Sequence, residues 1–183
     1  MKNFSQLFKI RFFQDTLVVL ILLIGMPLIF DAPMVSANDS RAPFSISGNL
    51  KITQISDGDS MRSGKLRIRL FGIDAPERKQ KCNNVNGRQW DCGIAAQKAL
   101  TQLVESVPKI SCELMNVDRY SRLVMRCYAG ETDVAAALVR QGLALAYRQY
   151  SELYIKDENT AKVTQAGIWG GSFTKPWIWR RTK

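Results

Sequence analysis

The segment DGDSMRSGKLRIRLFGIDAPE, residues 57–77, places four acidic and four basic side chains around two tight turns. Basic and apolar residues alternate between positions 65 and 70, which is the two-residue period of a strand with one buried face. The DGDS and SG sequences are typical of turns, and Pro76 cannot continue a hydrogen-bonded ladder. The segment therefore predicts two short antiparallel strands, the second running to Asp74.

The sequence on either side adds three more strands to this pair. Residues 49–55, NLKITQI, alternate like a first strand that leads into the DGDS turn. KISCEL at 109–114 and RLVMRCY at 122–128 are typical of two consecutive strands separated by a polar turn. The chain therefore predicts three strands in a meander, followed later by two more.

Helical patterns occupy the remaining parts of the chain. After a polar loop at 78–93, a helix is predicted from Ile94 until Pro108 stops it. A second helix is predicted from a Thr132–Asp133 cap to Gly142, and a third from Ser151 to about Ala166. Five strands with a helix between the third and fourth is the order of an OB-fold. The predicted fold class is thus α+β, a five-stranded OB-fold barrel with about three helices.

The first 37 residues are predicted to be a signal peptide rather than part of this barrel. Basic residues precede the apolar run Leu17–Phe30, which is shorter than the roughly 20 residues of a membrane span. Small or apolar residues at 35 and 37 suit cleavage after Ala37. The alternative is an uncleaved anchor through residues 17–30. Both arrangements place the domain outside the membrane, as a secreted or periplasmic protein, and residues 38–47 are predicted to be a linker.

The charge and composition of the chain limit the partners it can bind and the chemistry it can perform. The chain has 26 Lys and Arg, 16 Asp and Glu, no His and a net charge of +10. A strong positive excess attracts polyanions such as nucleic acid, anionic lipid or acidic polysaccharide. The absence of His excludes hydrolysis that depends on histidine, so a hydrolytic site here would need carboxylates, Arg, Lys, Tyr, Ser or a metal.

All four cysteines follow the predicted cleavage site, and an even number in an oxidising compartment favours two disulfides. Cys112 and Cys127 fall almost opposite each other on consecutive strands, whereas Cys82 and Cys92 bracket a polar loop. We therefore predict the pairs Cys112–Cys127 and Cys82–Cys92. The alternative, a zinc site, normally shows close Cys pairs or His.

The acidic residues of the opening segment form a candidate site. Asp59 begins the second strand and Asp74 ends the third, so an antiparallel pairing places them side by side. Glu77 lies just beyond the Pro turn, and alternation predicts that Arg69 faces solvent. Carboxylates are the ligands that Ca²⁺ and Mg²⁺ prefer, and Arg binds phosphate bidentately. The pattern predicts a metal-assisted phosphodiester site; the alternative is that these acids serve only turns and caps.

Five motifs, DGDS, RLFGIDAPE, DRYSR, LVRQGLA and GIW, occur in this order over residues 48–170. In this respect the chain resembles the staphylococcal (micrococcal) nuclease, or thermonuclease, family. The resemblance implies an OB-fold barrel with three helices and Ca²⁺-dependent hydrolysis of DNA and RNA, in single-stranded or flexible form. It also implies cleavage of the 5′ P–O bond, which leaves 3′-phosphates. We expect the protein to be a monomer.

The resemblance also assigns metal ligands. Asp59 and Asp74 correspond to the carboxylates that bind Ca²⁺, and Ala75 would supply its backbone carbonyl. Asp57 would reach the metal through water. The family often has Thr at the position of Ala75, a change that leaves a backbone ligand intact.

The same resemblance assigns the catalytic groups. Arg69 would bind the scissile phosphate, Glu77 would be the general base, and Arg122 would be a second phosphate clamp. Tyr120 corresponds to a position that packs near the nucleotide. The family has Gly where this chain has Ser121, and this difference would shift the turn that holds Arg122.

Two further regions leave alternatives open. The family's tyrosines after GLA align with Tyr147 and Tyr150 only across a one-residue gap. Residues 171–183 form an aromatic and basic tail, in which Trp177 and Trp179 either stack on bases or pack on the barrel. The competing function for the whole domain is a non-catalytic polyanion-binding module at the cell envelope, linked to exopolysaccharide production.

Overall fold

The computed structural model describes residues 47–182. The predicted signal peptide, residues 1–37, and nearly all of the predicted linker lie outside this range. Within the described range, no helix combines the length and apolar character needed to cross a membrane.

Twelve strands and four α-helices are present in the described residues. The strands are β1 (Ser47–Leu50), β2 (Gln54–Ile55), β3 (Ser60–Ser63), β4 (Leu66–Leu70), β5 (Ile73–Asp74), β6 (Cys82–Asn84), β7 (Gln89–Trp90), β8 (Ile110–Val117), β9 (Leu123–Ala129), β10 (Thr132–Asp133), β11 (Leu145–Ala146) and β12 (Gly171–Ser172). The helices are α1 (Cys92–Glu105), α2 (Val134–Arg140), α3 (Ile155–Val163) and α4 (Pro176–Trp179), with a 3₁₀ turn at Gly167–Gly170.

The main sheet has the strand order β1-β8-β9-β4-β3-β2, with β10 attached to β9. Strands β1 and β2 are two halves of the predicted first strand, and they lie at opposite ends of this order. The one parallel pairing within the sheet joins β4 to β9. A first strand that contributes to both ends curls the sheet toward a barrel, which is the OB-fold arrangement. The α+β class and the OB-fold prediction are confirmed.

The barrel interior and the flanking helices share one hydrophobic core. Met61, Ile68 and Leu70 from β3 and β4 meet Met125 from β9 and Leu100 from α1 in this core. Helix α2 is also buried, and it starts where predicted because the Asp133 side chain accepts a hydrogen bond from the Ala136 backbone N–H. Burial of these side chains fixes the strands whose ends carry the acidic residues.

Both predicted disulfides are present. Cys112 and Cys127 face each other in the β8–β9 register, and Cys82 is bonded to Cys92 at the start of α1. No cysteine of the described range is free.

The polar loop predicted at 78–93 is wrong in part, because it contains the hairpin β6–β7. Gly87 turns the hairpin with a φ of +73°, a conformation that suits glycine. Strand β12 pairs with β6 and so joins this hairpin to the C-terminal region. The polar composition of this segment predicts a loop, because strands of two or three residues show no clear alternation and β6 is completed by the distant strand β12.

The third predicted helix is shorter than its predicted span of Ser151 to Ala166. Helix α3 covers only Ile155–Val163, because residues 151–154 form a turn in which the Ser151 hydroxyl accepts from the Leu153 N–H. At the other end, Gln165 has a left-handed φ of 52° and ends the helix before Gly167.

Candidate active site

Asp59 is buried at the end of the DGDS turn, immediately before β3. Its backbone carbonyl accepts a hydrogen bond from the Leu70 N–H at 2.9 Å, which ties the turn to the end of β4. Asp57 supports the turn from the other side, since its carboxylate accepts from the Asp59 N–H at 3.2 Å. The Asp59 side chain is only 2% exposed.

Asp74 lies beside Asp59, although by a different route from the predicted one. The chain leaves β4 at Leu70, turns at Gly72 with a φ of +72°, and forms the separate strand β5, which pairs with β11. Asp74 therefore does not end the third strand as predicted. The two acids meet because the next residue, Ala75, donates its N–H to the Asp59 carboxylate at 2.7 Å.

Arg69 joins the two carboxylates directly. One terminal nitrogen forms an ion pair with Asp59, and the other forms one with Asp74 at 2.5 Å. The prediction that Arg69 faces solvent is wrong, because its side chain is only 14% exposed. The alternation of residues predicts Arg69 on the polar face of β4. In the structure, the segment that carries Asp74 covers this face at Arg69.

Glu77 follows at the edge of the same cluster, where its side chain is partly exposed. The Glu77 N–H donates to the Gln80 side chain at 3.2 Å, which holds the loop after Pro76. Gly93 at the start of α1 lies directly against this loop. A Cβ at that position would be 1.9 Å from the Glu77 carbonyl oxygen, so only glycine lets the helix begin there.

Arg180, one of the basic residues of the aromatic and basic tail, completes the cluster. It binds both oxygens of Asp74 at 3.0 Å and one oxygen of Glu77 at 2.7 Å. No family motif covers this position, and it lies more than one hundred residues from its partners in sequence. Only the basic character of the tail hinted at a role.

Burial shifts the pKa values of both acids, Asp59 and Asp74. Burial raises the pKa of Asp59 to about 6, against the opposing effect of Arg69. Burial and then the Asp59 charge raise the pKa of Asp74 as well, while Arg69 and Arg180 act to lower it. Two acids that share one place resist ionising together, so a cation between them would be favoured.

The donor set fits a hard cation such as Ca²⁺. Both buried groups offer carboxylate oxygens, and both are drawn to positive charge, since Arg69 bridges them. Among residues 47–182, no three acidic or cysteine side chains converge as a ready metal cluster. A cation would therefore take two carboxylates and complete its shell with backbone and water oxygens, as Ca²⁺ does with its 6–8 ligands.

Arg122 and Tyr120 lie in the turn between β8 and β9, outside this ion-paired cluster. Arg122 donates through Nε to Asp118 at 2.7 Å and lies over the Tyr120 ring at 5.6 Å. The turn is fastened to β4 by a hydrogen bond from the Arg67 side chain to the Tyr120 carbonyl. Since Val124 pairs with Arg69, the turn flanks the cluster.

Ser121 occupies this turn with a left-handed φ of 58°. A non-glycine residue in that region costs about 1–2 kcal/mol, and glycine loses about 0.4–1 kcal/mol through unfolded-chain entropy. We therefore expect Ser121→Gly to raise the free energy of unfolding by about 0.5–1 kcal/mol in urea denaturation. Ser106→Gly, the same change at a φ of −65°, should lower it. A Ser121→Gly protein no more stable than the parent would contradict this.

Tyr147 lies near the cluster but is covered by the C-terminal tail. Its ring is stacked on Trp177 with centroids 5.2 Å apart and planes at 8°, and Tyr150 contacts it edge-on. Burial and then the Asp74 charge raise the pKa of Tyr147. The tail, in this structure, packs on the barrel.

The fold and site together define an OB-fold barrel with a carboxylate and arginine cluster at one end of its strands. The family model described as staphylococcal nuclease homologue matches residues 67–171, more than half of the chain. The chain belongs to this family.

Several curated proteins are similar over most of the domain. The succinoglycan biosynthesis protein ExoI of Rhizobium meliloti is 31% identical over 140 residues, which are 75% of this chain and 72% of that protein. An uncharacterized endonuclease of Escherichia coli O157:H7 is 32% identical over 141 residues, covering 73% and 85%. The staphylococcal-like nuclease CAN1 of Arabidopsis thaliana is 35% identical over 123 residues, covering 65% and 34%.

Proposed function

We propose that this protein is an exported, Ca²⁺-dependent nuclease that hydrolyses DNA and RNA and leaves 3′-phosphates. Family membership and the endonuclease names of several relatives support a nuclease hydrolase. The observation that carries the proposal is that one guanidinium, that of Arg69, bridges Asp59 and Asp74, while Arg180 links Asp74 to Glu77.

The metal ligands in this proposal are Asp59 and Asp74, with the Ala75 carbonyl and, through water, Asp57. A bound Ca²⁺ would polarise a phosphate oxygen and offset the charge that develops on it. The buried setting of the two acids strengthens this effect, because charges interact more strongly away from bulk water.

The remaining roles belong to side chains around these acids. Glu77 is proposed to accept the proton of the attacking water, because it is the most exposed of the three clustered carboxylates. Arg69 would turn its terminal nitrogens from the carboxylates to the scissile phosphate. Arg122 would approach from the flanking turn, with Tyr120 packed beside the nucleotide. Charge developing on the phosphate would then be stabilised from two sides.

We also propose the domain limits and location given by the sequence: a signal peptide at residues 1–37, a linker at 38–47, the nuclease domain at 48–170 and a C-terminal tail at 171–183. The protein would then act as a secreted or periplasmic monomer. Its positive charge would draw it to single-stranded or flexible nucleic acid.

The name of one relative, a succinoglycan biosynthesis protein, favours a second candidate function. In that case the basic barrel would bind an acidic polysaccharide without cleaving anything. The retention of all three acids and both arginines at the family positions favours catalysis over a binding module.

The two functions are separated by incubating the purified protein with single-stranded DNA, RNA or an acidic exopolysaccharide in Ca²⁺. We expect acid-soluble nucleotides from both nucleic acids, and oligonucleotides whose masses include a 3′-phosphate. Polysaccharide binding without release of nucleotide would instead establish the binding module.

A further inference from the structure

The tail residue Arg180 occupies the solvent side of the acidic cluster. Its side chain is 38% exposed, compared with 14% for Arg69 and 0% for Asp74. Both Asp74 oxygens and one Glu77 oxygen accept hydrogen bonds from its terminal nitrogens. Arg69 is thus the inner cation of the cluster, and Arg180 is the outer one.

Two contacts with the rest of the domain anchor the segment that carries Arg180, residues 173–182, which we call the C-terminal strap. The buried Gln80 side chain donates to the Thr174 carbonyl at 2.6 Å, near where the strap begins. The Trp177 ring is stacked on Tyr147, and the Lys175 ammonium group of the strap itself lies 5.5 Å from the Trp177 ring centroid. The one-turn helix α4 then presents Arg180 to the site.

Gln80 links the strap to the candidate base. Its amide nitrogen binds the Thr174 carbonyl, and its amide oxygen accepts from the Glu77 N–H. Gln80 therefore connects the strap to the Glu77 backbone, while Arg180 contacts the Glu77 carboxylate.

A guanidinium and a divalent cation need the same oxygens of Asp74. Both oxygens of Asp74 already accept hydrogen bonds from Arg180, and Arg69 also binds one of them. A cation that takes an Asp74 oxygen as a ligand must therefore displace a guanidinium contact. Geometry thus favours exchange over simultaneous binding.

We propose that the C-terminal strap is an autoinhibitory element in which Arg180 holds the cation position at Asp74 and covers Glu77 until a divalent cation displaces it. This inference rests on the proposed calcium site. The strap lies beyond the family match, which ends at residue 171.

The closed strap weakens apparent cation affinity in proportion to the fraction of molecules that are open. If about one molecule in ten is open, the apparent dissociation constant for Ca²⁺ is raised about tenfold over that of the open site. Removal of the Arg180 side chain eliminates this competitor and leaves the Arg69 bridge between Asp59 and Asp74 in place.

The test is calorimetric titration of Ca²⁺ into the wild-type protein, Arg180→Ala and Arg181→Ala. We expect Arg180→Ala to bind Ca²⁺ about tenfold more tightly. Arg181→Ala removes the same charge from the neighbouring exposed residue, so it controls for general electrostatics and should stay within about twofold of wild type.

Hydrogen exchange of the strap gives a second readout that does not depend on activity. In the wild-type protein, saturating Ca²⁺ should speed amide exchange in residues 173–182, because the anchored strap is released. In Arg180→Ala the exchange should already be fast in EGTA, and Ca²⁺ should add little.

Four results would overturn the proposed autoinhibitory role of the strap. Equal or weaker Ca²⁺ affinity in Arg180→Ala would show that Arg180 does not compete, and so would strap exchange that Ca²⁺ leaves unchanged. Loss of DNA hydrolysis in Arg180→Ala with unaltered Ca²⁺ affinity would make Arg180 a phosphate ligand, while the proposed nuclease function stands. If no variant binds Ca²⁺ or releases nucleotide, the nuclease proposal fails and the strap with it.

Discussion

Replacing Glu77 with Gln is expected to lower kcat for single-stranded DNA by about 10²–10⁴-fold, the usual contribution of a general base. Gln keeps the size and hydrogen-bonding shape of Glu but cannot take a proton from water. Because the side chain lies at the edge of the cluster, the fold and the buried acids should be unaffected. Affinity for single-stranded DNA in Ca²⁺, measured by fluorescence anisotropy, should therefore change less than about threefold.

The control is Glu131→Gln, which makes the same change at an exposed turn between β9 and β10. It should leave both kcat and DNA affinity unaltered. Full turnover in Glu77→Gln would remove Glu77 from the mechanism. Equal losses of affinity and turnover would assign it to substrate binding instead.

Replacing Arg69 with Lys should have the next largest effect, a loss of about 10²–10³-fold in kcat/KM. Lysine keeps the positive charge, but a single ammonium group cannot bridge Asp59 and Asp74 or bind a phosphate bidentately. The loss should appear in kcat more than in KM, since the arginine acts on charge that develops in the transition state.

Arg62→Lys is the matched control, because Arg62 is an exposed arginine on the neighbouring strand β3. It should retain wild-type kinetics. Thermal unfolding of both variants separates a catalytic effect from a structural one. Activity of Arg69→Lys within about threefold of wild type would contradict a bidentate role for Arg69.

The barrel was largely predictable because its signals are local. Alternation over residues 65–70, the Thr132–Asp133 cap and the turns at Gly58 and Gly142 each act within a few residues. The Cys112–Cys127 disulfide was predictable too, since it needs only two consecutive strands in antiparallel register. These features follow from the pairing of neighbouring segments.

Features that depend on distant partners were missed. The β6–β7 hairpin is short, polar and completed by β12, almost ninety residues later in the chain. Asp74 was expected at the end of a long strand, yet it lies on β5, which pairs through Asp74 with Leu145 of the distant strand β11. In both cases the strands have only two or three residues, which is too short for a hydrophobic alternation to be recognised in the sequence.

The acids of the candidate site and Arg69 were predictable from the family motifs, whereas the burial of Arg69 and the presence of Arg180 were not. The family motifs and the turn chemistry singled out Asp59, Asp74 and Glu77, and the structure brings them together. Arg69 was expected to face solvent, but it lies buried between two carboxylates. Arg180 had no motif to mark it, because its place depends on how the tail folds back over Tyr147.

One measurement tests both the nuclease proposal and the calcium proposal: the initial rate of single-stranded DNA hydrolysis as a function of free Ca²⁺ concentration. The wild-type rate should rise to saturation and fall to background in EGTA. Asp74→Asn should need at least about tenfold more Ca²⁺ for half-maximal rate, while Asp157→Asn, whose partner is the remote Arg140, should follow wild type. A wild-type rate that persists in EGTA, or the same calcium curve for Asp74→Asn, would contradict a calcium centre at Asp59 and Asp74.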